Sequence, residues 1–169
     1  TWAQQNLKPS AGRAERVYDS LKAANDLRGL GTIGLYLAGK MYRDMDDRTR
    51  MVDVYAFATL RCRGPIVVRM HYELAEFWNE FDNRDEARQR YLATAILEPD
   101  GWGRRAMVGL AGLALRDGEP KECLTLCKQY LQMREAQARD VLSLMGRAYE
   151  QLGKYRAAAE CFAGKLPAE

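Results

Sequence analysis

A small residue followed four positions later by a bulky one recurs through this chain at a spacing that leaves few folds open to it. Counting back from Ala158, the first position returns at Cys123, Ala87, Met51 and Ala14, in steps of 35, 36, 36 and 37 residues. The bulky partner follows at Phe162, Cys127, Tyr91, Tyr55 and Tyr18, aromatic in all but one copy. A second column of small residues, Gly146, Ala111, Ala75 and Ala38, precedes the first by 12, 12, 12 and 13 residues, and its members follow Met145, Leu110, Leu74 and Leu37. The period therefore does not depend on which column is followed. Self-similarity of this length marks an array of supersecondary units, each too small to bury its apolar face alone and able to do so against a neighbour.

The unit itself is clearest in Arg139 to Phe162. Leu142, Met145, Gly146 and Tyr149, then Ala158 and Phe162, fall three and four apart on either side of a turn at Gly153 and Lys154, which is the pattern of two amphipathic helices. Small residues at Gly146 and Ala158 let the two backbones approach closely while Tyr149 and Phe162 fill the space beside them. The same reading predicts helices over Thr32 to Asp44 and Thr49 to Cys62, over Val67 to Phe81 and Arg84 to Leu97, and over Trp102 to Arg116 and Glu119 to Met133. A further helix from Ala11 to about Asp26, capped by Ser10, precedes them. These columns resemble the tetratricopeptide repeat, most closely in the last copy and in Leu74 to Pro99, less closely at Cys123 and Met51, which replace alanine. The resemblance implies one all-α domain over residues 1–169, a right-handed α–α superhelix made as a solenoid of helical hairpins. Its repeats would fall at 31–63, 66–99, 102–134 and 137–167, with a partial one at 1–27.

Composition excludes other classes. A chain of 169 residues is one ordinary domain, able to bury roughly 70% of its unfolded surface. Hydrophobic residues at 47% with 29% charged are globular proportions, not those of a disordered segment. The longest apolar run, Ala106 to Leu115, is about half of the roughly 18 residues a membrane-spanning helix needs, so no membrane insertion is expected. A net charge of +3 with acids and bases interspersed does not point to nucleic acid, and the 19 arginines are spread along the chain. The chain opens at Thr1 without the basic, apolar and small-residue succession of a secretory signal. It reads as an excised piece, with TWAQQNLK as the tail of a first helix and Lys8, Pro9 and Ser10 as its turn.

Motifs that could carry chemistry are few. Gly29, Gly31 and Gly34 spell GxGxxG, but the dinucleotide fingerprint needs a preceding strand, and Leu21 to Leu27 read as helix; a helix end followed by a closely packed helix is the better reading. Asp44, Asp46 and Asp47 lack the spacing of a calcium loop and suit a turn and an N-cap. Cys123 and Cys127, one helical turn apart, occupy packing columns, so with Cys161 they read as core thiols. His71 is the single histidine and has no orienting partner in sequence. Nucleophile elbow, phosphate loop and paired His and Glu are all missing, so an enzyme is not expected, and neither is a cofactor or metal.

In arrays of this kind the first helices line a concave groove. The resemblance places Tyr42, Arg69, Tyr72, Glu76, Asn79, Arg105, Val108, Gly112, Asp140, Ser143, Arg147 and Glu150 there. Members that hold a C-terminal carboxylate use a lysine and asparagine clamp; Leu35 and Gly39, or Tyr72 and Glu76, stand in its place here. The expected function is a protein-interaction scaffold or adaptor that binds a peptide or partner protein in this groove through Tyr42, Arg69, Tyr72, Glu76, Asn79, Arg105 and Arg147. Tyr72, Arg69 and Arg105 have no packing task in this reading. The alternative is a scaffold of half-repeats in an RNA-processing assembly, which EARQRYLATAI also resembles.

Overall fold

A computed structural model describes residues 29–133 and 139–167. The helix expected from Ala11, with Ala14 and Tyr18, and the first-helix tail at TWAQQNLK lie outside the described residues. Eight helices follow one another: α1 (Thr32–Asp44), α2 (Arg48–Arg61), α3 (Pro65–Glu80), α4 (Arg84–Leu97), α5 (Trp102–Arg116), α6 (Pro120–Gln132), α7 (Arg139–Gln151) and α8 (Tyr155–Phe162). Among the described residues there is no strand, and no helix is long and apolar enough to cross a membrane. Three of the expected spans coincide with the observed ones and the others differ by one or two residues at an end. Gly31 is the N-cap of α1 and Gly34 lies within it, so the GxGxxG glycines serve a helix start.

The period is visible in the backbone as well as in the side chains. In each hairpin three residues join the helices, at 45–47, 81–83, 117–119 and 152–154. The middle one is left-handed every time: Asp46 (φ 58°), Asp82 (φ 54°), Gly118 (φ 76°) and Gly153 (φ 72°). The next N–H then reaches back five residues, Asp47 to the Tyr42 carbonyl at 2.8 Å, Asn83 to Trp78 at 2.9 Å, Glu119 to Ala114 at 2.8 Å and Lys154 to Tyr149 at 2.8 Å. This is the Schellman ending, which satisfies carbonyls that the helix terminus would leave unpaired. The second helix starts at once, and Asp47 and Asn83 cap it by accepting the N–H of Arg50 (3.2 Å) and Glu86 (3.4 Å). Asp46 takes the guanidinium of Arg48 at 3.1 Å, so the acidic cluster serves the turn, as its spacing suggests. The connectors between hairpins are less uniform, three residues at 62–64 and four at 98–101.

The chain divides into two compact units after Met70. In the first, α1 packs on α2 through Leu35, Ala38, Met51, Val54, Tyr55 and Ala58, all buried. Gly39 allows this contact, because a Cβ there would stand 2.1 Å from the Tyr55 ring. In the second, one apolar cluster joins Ala75, Ala87 and Tyr91 to Ala106, Leu110 and Leu113 of α5. Another joins α5 and α6 to α7 and α8 through Ala111, Cys123, Cys127, Met145 and Cys161. Rings again lie on glycines: a Cβ at Gly109 would be 2.5 Å from Tyr91 and one at Gly146 2.5 Å from Phe162. The three thiols are buried core residues, with Cys123 Sγ 3.9 Å from the Leu144 carbonyl oxygen. Among the described residues no group of His, Cys, Asp and Glu is arranged to hold a metal ion.

One column member departs from the pattern. Leu74, Leu110 and Met145 are buried, whereas Leu37 is 55% exposed. Leu110 shows what the position requires, since it packs with Ala87 and Tyr91 from the hairpin before its own.

Candidate functional site

Three first helices of the second unit's hairpins each present one stripe of residues to a common cleft. On α3 these are Tyr72, Glu76 and Asn79, on α5 Arg105, Val108 and Gly112, and on α7 Asp140, Ser143 and Arg147. Spacings of three and four residues keep each trio on a single helical face, beside the small-residue column that holds the core. The stripes meet in an open cleft of about 570 Å³.

The α3 end of the cleft is a knot of aromatic and charged groups. Tyr91, whose ring is wholly buried, donates its hydroxyl hydrogen bond to Glu76 Oε1. Tyr72 is also hydrogen-bonded to Glu76, and its ring lies 5.9 Å from Tyr91 and 5.1 Å from Trp102. Burial, then the charge of Glu76, pushes the Tyr72 phenol up to about 12. Burial and the bond to Glu76 raise Tyr91 too, so both hydroxyls remain donors throughout the ordinary pH range. The Arg105 guanidinium stacks over Trp102 at 4.7 Å, a cation–π contact that holds it flat. Arg116 donates to the Asn79 side-chain oxygen. In the middle of the cleft, a Cβ added to Gly112 would meet no atom within 4 Å.

Of the seven expected site residues, Tyr72, Glu76, Asn79, Arg105 and Arg147 line this cleft. Val108, Gly112, Asp140 and Ser143 are there too, and Glu150 is not among the lining residues. Tyr42 and Arg69 belong to the first unit, where Tyr42 is 7% exposed and Arg69 stacks over Tyr36 at 5.1 Å. The expectation that Arg69, Tyr72 and Arg105 lack packing tasks is corrected by these contacts, since each of the three leans on an aromatic ring. Sequence reasoning missed Tyr91, Arg116 and Tyr130 in the lining. Tyr91 belongs to the packing column, and what escapes a column reading is that a long ring laid across Gly109 carries its hydroxyl out through the interface. Gly109 itself, a bare residue inside a helix, was the available signal.

The sequence matches no family model and no curated protein. Solved structures do resemble it. MamA AMB-1 superposes with a TM-score of 0.73 at 17% identity over 92% of this chain and 82% of that one. A second MamA structure gives 0.72 at 15% identity over 96% and 84%. The putative kinesin light chain of Podosopora anserina with nearly identical TPR-like repeats gives 0.69 at 15% identity over 95% and 86%. Identities this low speak for fold alone, and the fold of this chain is all-α and TPR-like, a succession of helical hairpins.

Proposed function

We propose that this chain is a protein-interaction scaffold and that the cleft of its second unit binds a peptide segment of a partner protein. The observation that supports the reading is the convergence of side chains from three successive first helices on one open cleft, around a glycine that keeps its centre clear. An open cleft with aromatic and arginine side chains beside a bare backbone suits an extended or helical peptide. Gly112 offers the test. Gly112→Trp projects an indole from the cleft wall at a position where its Cβ meets no atom within 4 Å, and a side chain in place of glycine inside a helix is conformationally favourable. The variant should keep wild-type helicity and a melting temperature no lower than that of the wild type. Selection of random dodecapeptides displayed on phage should enrich sequences that bind the wild type and not Gly112→Trp. Enrichment of the same sequences on both proteins would remove the cleft from consideration.

A further inference from the structure

We propose that the segment taken by this cleft is acidic, its carboxylates meeting the guanidinium groups of Arg105 and Arg147; the proposal rests on the peptide-binding reading above. The charge distribution of the unit carries it. Residues 71–169 hold 14 Lys and Arg against 16 Asp and Glu, so this part of the chain is slightly acidic. Its cleft is the reverse, with Arg105, Arg116 and Arg147 against Glu76 and Asp140. A concave surface opposite in sign to the body around it concentrates its field on whatever enters.

The arginines of the cleft also differ from several elsewhere in the unit that are paired with carboxylates. Arg84 and Arg88 bind Asp117 at 2.9 and 2.7 Å, Arg104 binds Asp100 at 3.4 Å and Arg156 binds Glu160 at 3.4 Å. Among the described residues no carboxylate lies within 4.0 Å of Arg105, Arg116 or Arg147. Glu76 keeps its charge but makes no ion pair with them, its Oε1 accepting the Tyr91 hydroxyl, so the cleft as lined still carries one more positive group than negative. Arg116 is turned to Asn79. Arg105 and Arg147 are left to meet a ligand, the first pre-oriented by Trp102, with open backbone at Gly112 on the helix between them. A planar guanidinium is matched best by a carboxylate, which it can hold through two parallel hydrogen bonds. A nucleic acid strand fits less well: its phosphates require a track of cations, and a unit with more acids than bases repels a long polyanion beyond the cleft.

The peptides enriched from the random library on the wild-type protein decide the matter. They should carry an excess of Asp and Glu over the starting library, and their affinity should fall with added salt. Arg147→Gln, at an exposed residue, and Arg105→Gln should each weaken the best of them roughly tenfold. Arg156→Gln, on a side chain 94% exposed and outside the cleft, should leave affinity unchanged. Enriched peptides that depend on an open Gly112 but show no acidic excess, or are indifferent to both cleft variants, would overturn the acidic partner while the peptide cleft stands. Failure to enrich any peptide over the Gly112→Trp background would overturn both. Tight binding of a uridine decanucleotide, lost on Arg147→Gln, would reassign the arginines to phosphate.

Discussion

Glu76 concentrates the chemistry of the second unit at one carboxylate, and the two phenols bound to it make a prediction about pH. An unfolded tyrosine titrates near 10, and Tyr72 folded titrates near 12. Between these values the unfolded chain releases a proton that the folded chain keeps, so the stabilisation is complete below pH 10 and is lost as pH rises through the window. Denaturation at pH 9, 10 and 11 should show stability falling, and Tyr72→Phe should flatten the fall; an identical slope in the variant would mean that Tyr72 titrates normally. The small-residue columns make a second prediction. Ala75 and Ala87 are wholly buried and Ala158 nearly so, and leucine at any of them should cost about 1 to 3 kcal/mol by overpacking. Gln89→Ala, on the exposed face of α4, should fall within about 0.5 kcal/mol of wild type. Paired melts of Ala87→Leu and Gln89→Ala check it. Arg88 would be a poor control, although a column reading puts it on the surface, because it lies 2.7 Å from Asp117 in the turn of the next hairpin. That contact spans 29 positions and leaves no trace in local pattern. Burial of Ala75, Ala87 and Ala158 was legible because it follows helical periodicity, while the partners of Arg88, Tyr91 and Trp102 depend on which hairpin lies beside which.

Helix spans were legible almost to the residue because their signals are local. Turn residues, caps and alternating faces are all written within a few positions of the boundary they set. The hairpin turns supply a clean prediction at this scale, since two glycines act in opposite ways. Gly153 is left-handed, and a Cβ there meets nothing within 4 Å, so Gly153→Ala costs only the backbone strain of an L-residue in that region, about 1 to 2 kcal/mol. Gly112 is equally unobstructed but sits inside α5, where alanine is favoured by up to about 1 kcal/mol. Chemical denaturation should move the midpoint down for the first substitution and up for the second. Movement in the same direction would show that contact with neighbours, not backbone conformation, governs these sites.

Within the second unit the arrangement is serial, with α5 packed on α4 and α6, and α7 on α6 and α8. Stability in such a chain is close to a sum of hairpins and the interfaces between neighbours. Ending the chain after Met133 removes Val141, Leu142, Met145 and Cys161 from their cluster and uncovers Cys123 and Cys127. The shortened protein should keep the helicity of its remaining helices in circular dichroism and unfold at lower denaturant. Complete loss of helicity would show that the hairpins fold only as a whole. The location of the cleft was partly legible at this scale, because the resemblance assigned the first helices to it; its arginine bias was not, because that depends on which carboxylates the fold brings near each guanidinium. The constancy of the three-residue turn has a separate consequence for chain length. One extra residue at 81–83 would disrupt the left-handed Asp82 turn and the bond from the Asn83 N–H to the Trp78 carbonyl that fix where α4 starts. The same insertion at 98–101 falls where the connectors already differ in length. Insertions and deletions, whether inherited or engineered, are therefore tolerated between hairpins and forbidden within them, and an epitope tag or a protease site placed after Pro99 should leave both neighbouring hairpins intact.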